Sequence, residues 1–475
     1  MRHFTLSIAL LLLLTACAPR PERSGPVPSR QQLEWQQLET YAFIHFGLNT
    51  FNDMEWGFGD TPASTFNPTK LDCEQWVLTL KNCGMKGVIL TAKHHDGFCL
   101  WPTQTTDYSI KNTPYKNGEG DLVRELSDAC HKHGLKFGIY CSPWDRHQAE
   151  YGREGYVSIY HQQIEELASN YGPLFEFWFD GANGGDGWYG GANEKRSIVA
   201  ERYYDYEKAR AIVWSHSPEA AIFGGTVPTL RWIGNEQGRA GATLWSMYHT
   251  DYESLNNTKT LSRGFVDGEA WLPAEVDVSI RPGWFYHEGE DDKVKKVEQL
   301  TNLYYQSVGR NANLLLNFPV NKEGRIPSID SANAVNWYHS LQQEFAHNLL
   351  KDCKVTATNT RSPRFSAKYV LDEEYTKYWA TEEGIRKAEL VFEFPKPTMV
   401  SRVMLQEYIP LGQNVKQFSI SRYVNGKWLP VETDEELTTI GYKRLVRFEP
   451  VEMEKLRIRF VVAKGTLSIA HVGAY

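Results

Sequence analysis

Asp180 is the residue around which chemistry can be built. It follows Phe177-Trp178-Phe179 and precedes Gly181, so its carboxylate ends an apolar run and has a neighbour without a side chain. That places it at a strand tip, beside a low-dielectric floor and with one face open. Such carboxylates serve as nucleophiles or acids in glycosidic bond hydrolysis, which needs two of them. A helix-capping role fits less well, because residues 182 to 193 are Gly-rich and loop-like. Three other apolar runs release polar side chains at corresponding points. The first gives His45-Phe46-Gly47 with Glu55-Trp56-Gly57 after it, the second Lys93-His94-His95-Asp96-Gly97-Phe98, and the third Tyr140 with Ser142-Pro143-Trp144-Asp145. A single His or Tyr there would read as packing, but recurrence at successive strand ends points to one site. Neighbours on an extended chain point oppositely, so His94, His95 and Asp96 are not expected to share an ion. Neutral imidazoles bonding to ring hydroxyls account for them, and no metal or cofactor is expected.

The elements that must hold these side chains alternate between short apolar runs and amphipathic helical stretches, the pattern of parallel β/α units. Strands are expected over 41–46, 87–92, 136–141, 174–179, 221–224 and 313–318. Helices are expected over 73–83, 121–133, 156–169, 203–216 and 292–308. Six or more units fit an α/β (β/α)8 TIM-like barrel, whose chemistry sits at the C-terminal ends of its strands. No G-x-G-x-x-G follows a strand, which removes support for a dinucleotide fold. After a helical stretch over 330–346 the texture changes, and from about Lys354 strands and turns dominate, as in Ala388 to Phe394 and Leu456 to Val462. That reads as a second, β-sandwich domain. Its Trp379, Trp428 and Tyr408 are taken as packing aromatics, with no binding site assigned.

The chain has 475 residues, 41% of them hydrophobic, enough for a large domain with a companion. Its formal charge of -7 argues against a nucleic-acid surface. Its 15 Trp and 25 Tyr exceed a core's needs and suit the flat faces of sugars. At the N-terminus Arg2 and His3 precede the apolar run Leu6 to Leu14, too short to cross a bilayer and shaped like a signal peptide. Leu14-Thr15-Ala16-Cys17 resembles the bacterial lipoprotein box, which implies lipidation at Cys17 and an exported, membrane-anchored protein on the periplasmic or cell-surface side. Residues 18–30 then read as a Pro-rich tether. The six other cysteines have no metal spacing and are expected to be buried free thiols.

The motifs around His45, Glu55, His94 and Asp180 together resemble the α-L-fucosidases of glycoside hydrolase family 29, over roughly residues 31 to 345. The resemblance implies a retaining, exo-acting double displacement with Asp180 as nucleophile. It also implies fucose contacts from His45, Glu55, Trp56, His94, His95, Tyr140 and Trp178, with Trp144 beside them. Arg231 to Gly238 looks like the acid/base loop of the subgroup that prefers α-1,3 and α-1,4 linkages, which makes Glu236 the acid/base. Glu275 is its rival, in a segment that also brings Arg281 and Trp284 toward the sugar. The expected domains are a signal peptide at 1–17, the tether at 18–30, a catalytic barrel at 31–347 and, at 348–475, a sandwich resembling discoidin or galactose-binding domains. The implied partners are fucosylated oligosaccharides or glycoprotein glycans. Two other readings use the same residues: a non-catalytic glycan-binding lipoprotein, and another retaining glycosidase such as an α-galactosidase.

Overall fold

The structure is a computed structural model that describes residues 19–475; the signal segment and Cys17 lie outside the described residues. Eight parallel strands form the catalytic half. They are β1 Thr40–Ile44, β2 Gly87–Lys93, β3 Lys136–Cys141, β4 Glu176–Trp178, β5 Ala221–Phe223, β6 Arg231–Trp232, β7 Ala274–Ser279 and β8 Ala312–Asn317. Their order is β5-β4-β3-β2-β1-β8-β7-β6. A parallel bridge from Phe223 to Leu230 joins the two edge strands and nearly closes the barrel. β2 is buried along its whole length, as a strand packed on both faces must be.

Two strands depart from expectation. β6 has two residues, too few to leave a pattern, and β7 reads Ala-Glu-Val-Asp-Val-Ser. Its acids point into the barrel, so its alternation looks like a surface strand although every residue is buried.

Two of the helices start where an aspartate caps them. Asp72 accepts from the Gln75 N–H at 2.9 Å to open Cys73–Asn82, and Asp121 does the same from Arg124 to open Leu122–His133. The second helix ends at Gly134 in the left-handed region, φ 68°. Its Leu122, Val123, Leu126 and Cys130 face the core. A short helix, Arg30–Gln36, plugs the N-terminal end of the barrel. Its Trp35 donates to Glu176 Oε2 at 2.8 Å, and its Trp35 carbonyl accepts from Asn313 Nδ2 at 2.7 Å.

The segment before that plug is not a free tether. Pro21 is buried, the Ser24 N–H donates to the Leu411 carbonyl at 3.0 Å, and Arg361 Nε donates to the Pro19 carbonyl at 2.9 Å. A Pro-rich chain has little conformational entropy to lose on docking, and here it lies along the C-terminal domain.

That domain is an antiparallel sandwich built on two bent strands of 20 residues, Ala388–Glu407 and Arg444–Ala463, paired with register shifts. It is locked to the barrel by Arg310 to Glu435 at 2.7 Å, and by Gln413, which accepts from the Ser246 N–H and donates to the Leu244 carbonyl, each at 2.8 Å. The six described cysteines are free and buried.

Candidate active site

At the C-terminal ends of the strands lies a cavity of about 450 Å³. Asp180, just past β4, and Glu236, in the loop after β6, both line it. So do His45, His94, His95 and Tyr140, with Trp56, Trp178 and Trp284 as aromatic walls.

Asp180 is held by two donors. The Tyr140 hydroxyl donates to its Oδ2 at 2.8 Å and the Ala182 N–H to its Oδ1 at 2.7 Å, while His95 Nε2 stands 3.8 Å from Oδ2. The Ala182 bond turns the chain back on itself after the strand, which fixes the carboxylate without spending a side chain on it.

The three imidazoles can be assigned proton by proton. Ser142 Oγ donates its one proton to the Trp144 carbonyl at 2.7 Å, so it must accept from His95 Nδ1, also at 2.7 Å. His95 therefore presents a bare Nε2. Asn317 donates both amide hydrogens, to Ser279 Oγ at 2.9 Å and the Trp284 carbonyl at 2.8 Å, leaving Oδ1 to accept from His45 Nδ1 at 2.8 Å. His45 too presents a bare Nε2. Asn49 accepts the Gly57 N–H with Oδ1 and turns its amide nitrogen to His94 Nδ1 at 3.3 Å. His94 Nε2 then carries the proton. Burial keeps all three rings neutral, driving His45 down to about 3 and lowering His94 and His95. Two acceptors and one donor are thus set around the cavity, a fixed polarity for hydroxyl groups.

His94 and His95 face the same cavity, with ring centroids 4.2 Å apart. The expectation that they point oppositely assumed an extended chain. The strand ends at Lys93 and the Gly97 N–H bonds back to the His94 carbonyl at 3.0 Å, so this is a turn.

Glu236 sits at the rim, with Trp284 Nε1 donating to its Oε2 at 3.2 Å. Burial raises its pKa, the charges of Asp180 and Glu55 add to the rise, and the indole bond opposes them. Its rival lies elsewhere. Glu275 is wholly buried below the floor, accepting from Trp178 Nε1 at 2.7 Å and from the Tyr41 hydroxyl. Burial raises both Glu275 and its neighbour Glu176, and the two carboxyls form a sealed layer under Trp178.

Three expected sugar contacts are not among the residues that line the cavity. Arg281 is fully buried and doubly bonded to Asp330, through Nε at 2.8 Å and Nη2 at 2.7 Å, with Asp291 on its edge. Glu55 is occupied by the loop after β7. It accepts the Trp284 N–H at 2.8 Å and the Phe285 N–H at 3.1 Å and meets His287 at 2.7 Å. A Cβ on Gly283 would lie 2.4 Å from Glu55 Oε1, so that approach requires glycine. Trp144 stands behind the wall, edge-on to Trp56 at 5.6 Å, its indole bonded to the Tyr189 hydroxyl. The loop over 182–193 contributes Ala182 and Asn183 to the cavity, and Gly185–Gly187 pairs with Glu194–Arg196 in a hairpin whose Trp188 stacks on His147.

Sequence reading missed Asp277, Trp232 and Arg146. Asp277 is a buried carboxyl lining the cavity, pushed well up by burial and accepting from Trp232 Nε1 at 2.7 Å. Its signal was the alternation Glu275, Asp277 in one strand. Arg146 ties three loops together, donating to the carbonyls of Trp56, Gly57 and Asp186 at 3.1, 2.9 and 2.6 Å.

A parallel barrel with carboxylates, imidazoles and aromatic walls gathered at its strand ends defines the class: a glycoside hydrolase. The α-L-fucosidase family model matches residues 26–339 and an F5/8 type C domain model matches 354–472. The chain belongs to the α-L-fucosidase family, glycoside hydrolase family 29. It is 40% identical to Alpha-L-fucosidase 1 of Arabidopsis thaliana over 466 residues, covering 96% of this chain and 89% of that protein. Among solved structures, a glycoside hydrolase 29 family member from an unknown rumen bacterium is 42% identical with a TM-score of 0.87, covering 96% of this chain and 78% of that one. A Ruminococcus gnavus GH29 fucosidase, solved in complex with fucose, is 32% identical with a TM-score of 0.87, covering 97% and 96%.

Proposed function

We propose that this protein is an exo-acting, retaining enzyme that removes terminal α-1,3/1,4-linked L-fucose from oligosaccharides and glycoconjugates. The observation that carries the reading is that Asp180 and Glu236 line one cavity with imidazoles of fixed polarity. In the first step Asp180 attacks the anomeric carbon as the bond to the leaving oxygen breaks, and protonated Glu236 gives that oxygen its proton. In the second, Glu236 takes a proton from water as the water attacks the same carbon and Asp180 departs. Two inversions return the α-configuration. The raised Glu236 pKa suits the acid role. His45, His94 and His95 are matched to ring hydroxyls, and an aromatic wall to the C5 methyl that fucose carries where galactose has a hydroxymethyl. Linkage preference rests on the likeness of the Arg231 to Gly238 loop to one subgroup. Export and lipid anchoring rest on the residues before and at Cys17.

Release of fucose from an aryl α-L-fucoside and from a Lewis trisaccharide tests the activity. No release from either removes the enzyme reading in favour of glycan binding. Side-by-side digestion of α-1,2, α-1,3, α-1,4 and α-1,6 fucosides tests linkage, and first-formed β-L-fucose by NMR contradicts retention.

A further inference from the structure

Away from the barrel, the docked N-terminal segment and the C-terminal sandwich form the walls of a second, open cavity of about 630 Å³. Arg20 and Arg23 line it from the segment, and Arg364 from the sandwich. Its apolar wall is the parallel pair Tyr378 and Tyr408, with ring centroids 4.1 Å apart and planes at 10°, flanked by Phe365.

The cations are the unusual feature. Lys377 nearby is neutralised by Asp372 and Glu374, each at 2.9 Å, and Arg361 by Glu383 at 2.8 Å. Arg20, Arg23 and Arg364 form no ion pair among the described residues, in a chain whose formal charge is -7. Burial and the neighbouring Tyr408 raise the Tyr378 phenol, and the charges of Arg20, Arg364 and Arg361 oppose that rise. The segment that carries Arg20 is pinned on both sides, by the Pro19 and Ser24 backbone bonds. The Arg20, Arg23 and Arg364 guanidinium groups line one cavity without an acid of their own, so an anion held there would gain charge-assisted hydrogen bonds from them. Guanidinium forks match carboxylate and sulfate oxygens in pairs, while the rims of the two stacked phenol rings offer apolar contact to the C–H groups of a pyranose.

We propose that this cavity binds an acidic sugar unit, one bearing a carboxylate or a sulfate ester, and so holds acidic glycans on the protein at a site separate from the barrel. Both halves are required: the segment supplies two of the arginines, and the sandwich the third and the rings.

The test is equilibrium binding by the full-length chain to sialyllactose and lactose 6′-sulfate, with lactose and inorganic sulfate as the comparison probes. The expected result is that both acidic sugars bind at least about tenfold more tightly than lactose or sulfate. Excess L-fucose leaves their binding unchanged, and Arg20→Ala and Arg364→Ala each weaken it about tenfold or more without changing aryl fucoside hydrolysis or thermal stability. Arg364→Lys, which keeps charge but not the fork, falls between. Equal binding of lactose overturns the proposal, as does sulfate binding as tightly as the sulfated sugar. Displacement by fucose, unchanged affinity in both alanine variants, or binding only to anionic phosphatidylglycerol vesicles also overturns it.

Discussion

Replacing Trp284 by Phe isolates the one interaction that opposes protonation of Glu236. The substitution removes the indole N–H that donates to Oε2 at 3.2 Å and keeps an aromatic face toward His45, whose ring centroid lies 5.1 Å away. What remains around the carboxyl is burial and the charges of Asp180 and Glu55, all of which favour the acid. A hydrogen bond to a charged group contributes about 1.5–3 kcal/mol. At 3.2 Å, on a rim open to water, about half of that survives, roughly 0.75–1.5 kcal/mol. One pKa unit corresponds to about 1.36 kcal/mol, so the Glu236 pKa rises by about 0.5–1 unit. In the first step Glu236 must be protonated, hence kcat/KM is high below its pKa and falls as pH rises through it. The alkaline limb therefore moves to higher pH by about 0.5–1 unit. The assay is kcat/KM on a Lewis trisaccharide between about pH 4 and pH 10, because a poor leaving group depends on the acid. Changes in sugar contact scale the whole profile and leave the limb in place. An alkaline limb that stays put, or moves to lower pH, refutes both the Trp284 bond and the role of Glu236.

Asp180→Gly is expected to lower turnover by at least about 10⁴-fold while fucose still binds within about tenfold of the original affinity; calorimetry and single-turnover assays measure both, and near-normal activity removes the nucleophile. Glu236→Ala is expected to recover activity with azide, forming a fucosyl azide detectable by mass spectrometry. Glu275→Ala leaves the Tyr41 hydroxyl and Trp178 indole without an acceptor, at about 1–3 kcal/mol each in urea unfolding; azide rescue there reassigns the acid. Arg281→Ala strands Asp330 in the core and is expected to destabilise by about 3–5 kcal/mol with the fucoside KM unchanged. A raised KM at unchanged stability would put Arg281 on the sugar.

The barrel was legible wherever a strand is apolar on both faces, as in Val88 to Ala92 before His94 and Phe177 to Phe179 before Asp180. It was illegible where the interior is polar. β7 puts Glu275 and Asp277 inward, and a buried acid layer erases the hydrophobic signature that marks a strand. Side chains at the strand ends were found by position, but their direction depends on partners far along the chain. Arg281 looks like another strand-end polar group until Asp330 takes it, and nothing near Glu55 in the sequence shows that the backbone N–H groups of Trp284 and Phe285 bond it. The His94–His95 pair was misjudged because a local turn, not the strand, sets its geometry.

The docking of residues 19–24 on the sandwich sets the reach that the proposed lipid anchor at Cys17 would allow. An extended leash over 18–30 would span about 40 Å at roughly 3.3 Å per residue. With Pro19 already held, a lipid on Cys17 leaves only about 7 Å of slack. Under the proposed anchor the bilayer would be a wall beside the sandwich, and the barrel mouth would keep a nearly constant height and bearing above it. Such an enzyme would not sweep the surrounding fluid for glycans; it would work as a fixed station, on substrates delivered to the membrane.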